Sequence, residues 1–356
     1  MENSIEKSSL KEQIYYIGMD VHVKNWSITI LSKNLFIKRF TQEPKAEVLI
    51  KHLQKHYPGA SYKCAYEAGY SGFCIADDLN RNGIECIVVN PADIPVTNKQ
   101  KEQKTDRSDS KKLAEILRAG LLHGIYIPDT ENLEDRLLLR MRSQLVRQQS
   151  AVKNRIKACL SFYGIRISEE QSQRYWSKNY LNYLHSVKFS RSSGQYSFEV
   201  LLQELEYFRK ELLAITRKIR ELACTDKYAV QVNRLRTIPG IGILNAMTIL
   251  TEISDIRRFR SANKFRGYIG LIPREHSSGG SINKSEMSRR GNNQLKNMLI
   301  ESAWVAVRTD PAMTIAFEEL TKRLRKSKAI VRIARKLANR ILHVLVTKEE
   351  YVFNVA

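Results

Sequence analysis

Residues 14–40 read IYYIGMDVHVKNWSITILSKNLFIKRF. Three apolar runs stand out. Ile14 to Met19 is rich in β-branched and aromatic residues and stops at Asp20. Trp26 to Leu31 alternates apolar with Ser and Thr, and Leu35 to Phe40 follows a turn at Ser32-Lys33-Asn34. Short strands with tight connections predict an antiparallel meander. Further out, Ala46 to His56 is expected to be a helix closed by Pro58-Gly59. Ser61 to Tyr66 is expected to be a strand ending at Glu67, Gly69 to Asn82 a helix stopped by Gly83, and Ile84 to Val89 a strand.

A three-strand meander followed by helix, strand, helix, strand is the order of a ribonuclease-H-like mixed sheet, which we place at residues 13–128. Leu137, Leu138, Met141, Leu145, Val152, Ile156 and Leu160 then repeat mostly at three, four or seven, as do Leu201, Leu202, Leu205, Phe208, Leu212, Ile215 and Ile219. This predicts a long helical hairpin or coiled coil over 129–229. The polar stretch 168–194 is expected to be an insertion or loop at its tip. Residues 230–356 are expected to form a mainly helical third domain. The fold class is thus α/β plus α.

The 356 residues carry a formal charge of +22, which points to a polyanionic partner, nucleic acid first among them. No apolar run of about 18 residues marks a membrane span, and Met1 to Glu12 does not read as a signal peptide. Five scattered cysteines without C-x-x-C spacing argue against a zinc ribbon or disulfide framework, for a reducing compartment, and for mostly buried thiols.

Candidate chemistry gathers at three places. Asp20 and Glu67 close predicted strands, where polar residues face the ligand cleft of a mixed sheet. Asp106 and Asp109 stand three apart among Lys104, Arg107, Lys111, Lys112 and Arg118, after an exposed basic loop and before a helix expected from Ser110 to Leu121. That spacing shares one helix face, and the helix N-terminus favours ionised acids. Four carboxylates could hold divalent ions, with magnesium suited to carboxylate, water and phosphate; an acidic helix start on a solvated surface is the plain alternative. Arg274-Glu275-His276-Ser277-Ser278-Gly279-Gly280 reads as a loop. Its glycines would admit a phosphate to a serine, with His276, Arg274, Arg289 and Arg290 nearby as base and cations, or it is a flexible turn. Thr237-Ile238-Pro239-Gly240-Ile241-Gly242 resembles a helix-hairpin-helix turn, in which Gly240 and Gly242 would let backbone N–H groups approach a phosphate. Nine cations between Lys322 and Arg340, including Arg323 and Arg325, form either a phosphate-binding helix face or a solvated one.

Asp20, Glu67, Asp106-Arg-Ser-Asp109, Thr-Ile-Pro-Gly-Ile-Gly, Pro-Arg-Glu-His-Ser-Ser-Gly-Gly and Arg-Arg-Gly-Asn, in that order from Ile14 to about Arg308, resemble the DEDD-type insertion-sequence transposases, relatives of the Piv-type DNA invertases. The resemblance implies a RuvC-like first domain whose acids, here Asp20, Glu67, Asp106 and Asp109, bind Mg2+. It implies a nucleophilic serine, here Ser278, with Ser277 as the alternative. It also implies a structured noncoding bridge RNA pairing with target and donor DNA, a dimer-of-dimers tetramer, and work beside the bacterial nucleoid in the cytoplasm; on that basis the acids and the serine are expected to come from different subunits. A metal-dependent junction resolvase that cuts with water, the serine loop being structural, is the competing function. A catalytically inert nucleic-acid scaffold is a third.

Overall fold

The computed structural model describes residues 13–95, 106–165, 176–278, 281–287 and 290–352; for 106–108, 273–278 and 281–287 it describes the backbone alone. The chain divides into two compact units, 1–127 and 128–356.

The first unit is built on a five-stranded sheet: β1 (Ile14–Val21), β2 (Trp26–Leu31), β3 (Phe36–Gln42), β4 (Ser61–Glu67) and β5 (Glu85–Val89), in the order β3-β2-β1-β4-β5. β1, β2 and β3 pair antiparallel, and β4 and β5 run parallel to β1. This is the ribonuclease-H-like arrangement that the element order predicts. Helices α1 (Ala46–His56) and α2 (Cys74–Arg81) cover one face, where Ile17 and Met19 join Leu49, Leu53, Ala76 and Leu79 in the core. Helix α3 (Asp106–Arg118) packs on β1 and β2.

Three boundaries differ from expectation. β1 continues through Asp20, which pairs with Ser27, because the strand stays inside the sheet until the turn at residues 22–25. α2 begins at Cys74 rather than Gly69, since Gly72 takes a φ of +61° and the segment before it is a turn. α3 begins at Asp106 rather than Ser110, so both candidate acids lie within its first turn.

The second unit opens with α4 (Thr130–Phe162), capped by the Asp129 carboxylate on the Asn132 N–H. It pairs with α6 (Ser192–Ala223). Contacts from Arg142 to Thr216 and from Arg155 to Glu204 show that the two run antiparallel, each about 50 Å long at 1.5 Å per residue. The expected loop at 168–194 is corrected in part. Residues 166–175 lie outside the described set, but Lys178–Ser186 forms α5, and Trp176, Tyr180, Leu184 and Val187 bury against Val152, Ile156, Phe198 and Leu202. The spacing of four, four and three among those apolar residues is helical; polar residues on the outer face hide it in the composition.

The remaining elements are α7 (Ala229–Arg236), α8 (Ile243–Ile253), α9 (Ala262–Ile269), strands β6 (Pro273–Ser278) and β7 (Ser281–Met287), α10 (Asn293–Thr309), α11 (Pro311–Thr321) and α12 (Lys326–Thr347). The helices among them share one core with the adjoining parts of α4 and α6, through Leu139, Ile219, Leu250, Leu299, Leu337 and Ile341. Among the described residues no helix is long and apolar enough to cross a membrane. The described cysteines are free thiols. Cys64 and Cys86 are buried on neighbouring strands, whereas Cys74 and Cys224 are exposed, fewer buried thiols than expected.

Candidate functional site

The register of β1 against β4 explains how two distant acids meet. Met19 pairs with Tyr66 in parallel, so the next residues, Asp20 and Glu67, lie at the same end of neighbouring strands. α3 brings the third. Gly18 has no side chain on the face beneath α3, and a Cβ there would stand 2.0 Å from the Ser110 carbonyl oxygen and 2.5 Å from the Ala114 nitrogen. The helix backbone therefore rests directly on the strand. Ser110 fixes its position: fully buried, its hydroxyl lies 2.9 Å from Thr29 Oγ1 and 3.5 Å from Ser27 Oγ on β2. Asp109 precedes it and reaches the cleft.

That cleft, about 270 Å³, is lined by Asp20, Val21, His22, Glu67, Ala68, Gly69, Tyr70 and Asp109. His22 Nε2 stands 3.3 Å from Asp20 Oδ2. Asp106 opens α3, but its side chain lies outside the described residues, as does that of Arg107; Lys104 lies outside altogether. Lys111 is exposed and pairs with Glu115 at 3.6 Å, and Lys112 is half-buried. A hard divalent cation fits the donor chemistry, since the cleft offers carboxylate oxygens and room for water and phosphate. Among the described residues no three His, Cys, Asp or Glu side chains are close enough together to form a ready cage.

The serine segment is a β-hairpin rather than a loop. Ser278 pairs with Ser281, leaving Gly279 and Gly280, outside the described set, between the strands. The sequence reading took Ser and Gly as loop composition and missed the pairing. Ser277 and Ser278 end β6. Their side chains, with those of Arg274 and His276, lie outside the described residues, as does all of Arg289.

The base of this hairpin is clamped. Gly270 ends α9 at a φ of +84°, and Gly291 at +123° passes so near that a Cβ on it would meet Gly270 at 2.6 Å. The Asn292 N–H donates to the Tyr268 carbonyl at 2.7 Å. Asn292 Oδ1 caps α10, while its Nδ2 donates to Glu252 Oε2 at 2.7 Å. Arg335 donates to the Leu271 carbonyl. Glu252, on α8, is fully buried and also accepts two hydrogen bonds from Arg140 of α4, at 2.7 and 2.8 Å. Burial pushes its carboxyl up, but Arg140, Asn292 and Arg136 outweigh burial and hold it below the usual range. Sequence reading missed Glu252, because one glutamate in an apolar helix gives no local signal; Asn292 it noticed only as part of a motif. Arg290, beside the clamp, is exposed.

Two further candidate groups have mixed employment. Gly240, at a φ of +88°, lies against α10, where a Cβ would meet the Ser302 carbonyl at 2.4 Å; Gly242 is open and sits at the N-cap of α8. Among the C-terminal cations, Arg340 pairs with the buried Asp310 and lies over the Tyr351 ring, and Lys322 pairs with Glu319. Arg323 and Arg325 are exposed.

Comparison with known proteins gives these features a family. A profile of DEDD transposases of the IS110 type matches residues 17–165, and a profile described as the transposase IS116/IS110/IS902 family matches residues 232–317. The transposase for insertion sequence element IS1533 of Leptospira borgpetersenii is 30% identical over 248 residues, covering 68% of this chain and 70% of that protein. The transposase for IS1111A of Coxiella burnetii is 28% identical over 260 residues, covering 70% of this chain and 69% of that protein. The y4qE protein of Sinorhizobium fredii is 32% identical over 243 residues; the match covers 68% of this chain and spans 58% of y4qE. The chain belongs to the IS116/IS110/IS902 family of DEDD-type insertion-sequence transposases.

Proposed function

We propose that the protein is a site-specific DNA recombinase that mobilises an insertion sequence through a phosphoserine intermediate. The observation that supports it most is the convergence of Asp20, Glu67 and Asp109 on one cleft at the end of β1 and β4, in a chain whose second unit carries Ser278 on a clamped hairpin. A DEDD domain implies dependence on a divalent metal; we propose Mg2+, held by these three acids and Asp106. When bound, the ion would offset the charge that builds on the phosphorus and leaving oxygen.

Ser278 Oγ attacks a DNA phosphate, with Ser277 the alternative. The Oγ–phosphorus bond forms, the phosphorus–O3′ bond breaks, the serine proton departs, and the leaving 3′ oxygen takes up a proton. Attack by a 3′ hydroxyl on the phosphoserine reverses these changes, so rejoining needs no nucleotide triphosphate. Arg274, Arg289 and Arg290 would hold the phosphate, and Lys104, Arg107, Lys111, Lys112, Arg323 and Arg325 the nucleic-acid backbone. A structured RNA would choose target and donor sequence. The working form would be a tetramer in which acids and serine come from different copies, active beside the nucleoid in the cytoplasm.

Labelled donor DNA incubated with protein, Mg2+ and RNA transcribed from the element's flank tests this on a denaturing gel. Cleavage is expected only with metal and is abolished in Asp20→Asn. RNA-independent, sequence-blind cutting would exclude guidance, and cutting by Asp20→Asn would exclude the carboxylate cleft.

A further inference from the structure

Among the residues lining the carboxylate cleft, Tyr70 brings an aromatic ring rather than a metal ligand. Tyr70 is 65% exposed, yet it is not loose. Its hydroxyl donates to the Val21 carbonyl at 3.0 Å, one residue beyond Asp20. The turn that carries it is fixed on both sides. The Ala68 N–H donates to the Val89 carbonyl at 2.8 Å, the hydroxyl of fully buried Tyr66 donates to the Gly72 carbonyl at 3.0 Å, and the Gly72 N–H donates to Gly69 at 3.3 Å. Its polar end is tied to β1 while the residue as a whole stays exposed. A rigid, exposed aromatic face costs little further ordering on binding.

The electrostatics of the cleft give such a face a use. The acids, with the cation they would hold, engage only the phosphate, so a base beside it needs a partner that does not depend on charge. Stacking of a base on an aromatic ring provides it, and tolerates any base because each has a π-face. We propose that Tyr70 is the stacking platform for an unpaired nucleobase next to the phosphate handled at Asp20, Glu67 and Asp109. The proposal rests on that cleft being the DNA site. The rival role for Tyr70 is a staple, joining the 68–73 turn to β1 through its hydroxyl alone.

Two variants separate these roles. Tyr70→Phe keeps the ring and loses the tether, whereas Tyr70→Leu keeps apolar bulk and loses both. The probe is a single-stranded oligodeoxynucleotide carrying one 5-iododeoxyuridine, bound to the full chain in Ca2+ and irradiated, with crosslinks mapped by mass spectrometry. We expect a crosslink at Tyr70 that survives in Tyr70→Phe and vanishes in Tyr70→Leu, with strand affinity weakened roughly tenfold in the leucine variant alone and the same small change in thermal melting in both, from the lost tether. Equal losses in the two variants, or crosslinks confined to other residues, overturn the platform. If Asp20→Asn abolishes cleavage while Tyr70→Leu alters neither crosslinking nor affinity, this inference alone fails. If Asp20→Asn cuts normally, the reading of the cleft fails with it.

Discussion

Replacing Gly18 with alanine should unseat helix α3 and, with it, the acids on its first turn. In a strand, alanine is normally favoured over glycine by roughly 0.5–1 kcal/mol, so on propensity alone the variant would be more stable. The structure reverses that sign. The new Cβ would stand 2.0 Å from the Ser110 carbonyl oxygen and 2.5 Å from the Ala114 nitrogen, where contacts under 3.0 Å are essentially never found, so α3 must retreat by about 1 Å. Both obstacles are backbone, so no side-chain rotation relieves them. Overpacking of this kind costs about 3 kcal/mol at its usual upper end, leaving a net loss of roughly 2 kcal/mol after the propensity gain. The retreat also breaks the 2.9 Å contact between Ser110 and Thr29 and carries Asp109 away from Asp20 and Glu67. A 1 Å misplacement in a reacting constellation costs on the order of 100-fold in rate. Urea unfolding and metal-dependent DNA cleavage, measured on the same preparation, check the two effects. Wild-type stability together with wild-type cleavage would refute the claim that close packing of α3 on β1 assembles the cleft.

The Ser110→Ala variant removes a buried hydroxyl but no bulk; it should lower stability by about 1 kcal/mol in denaturant melts, about half the loss in Gly18→Ala. Glu252→Gln breaks a buried ion pair, for which losses of about 3–5 kcal/mol are usual, and the lower end is expected because Arg140 is half exposed. Since the Glu252 carboxyl is held below its ordinary value of 4.5, its contribution is fully present above that pH and is lost as pH falls through the folded value. The stability gap between wild type and Glu252→Gln should therefore be constant near neutrality and close in acid; a gap that widens in acid would contradict the sign. In Gly240→Ala a Cβ would meet the Ser302 carbonyl at 2.4 Å, at a φ of +88°. Roughly 2 kcal/mol or more should be lost in thermal melts even without nucleic acid, and an unchanged melt would remove the packing role assigned to this glycine.

Much of the first unit was legible in the chain because its signals are local. The alternation in Trp26–Leu31 matches the strand observed there, and Ala46–His56 is helical over the residues its periodicity predicts. Asp20 and Glu67 could be singled out as strand-end acids, and parallel pairing of β1 with β4 places them side by side. What escaped is what depends on a partner far away in sequence. Gly18 looks like any strand glycine until α3 is laid across it, and Ser110 like a helix cap until Thr29 lies opposite. Trp176 and Tyr180 were lost in a polar composition, although their spacing was helical. The hairpin at 273–287 was hidden because Ser and Gly signal loops on average, whereas here Ser277 and Ser278 pair with Ile282 and Ser281. Glu252 had no signal, since its meaning lies in Arg140 and Asn292, 112 and 40 residues away.

The central claim is that Ser278 forms the covalent bond while the carboxylate cleft supports it. Mass spectrometry of the protein after incubation with donor DNA, Mg2+ and the flanking RNA, followed by nuclease digestion, measures this directly. The account predicts a nucleotide adduct on the peptide containing Ser278, absent from Ser278→Ala and from Asp20→Asn. DNA cut by Ser278→Ala at the wild-type rate, with no adduct on either serine in the native protein, would contradict it and assign the cleavage to water.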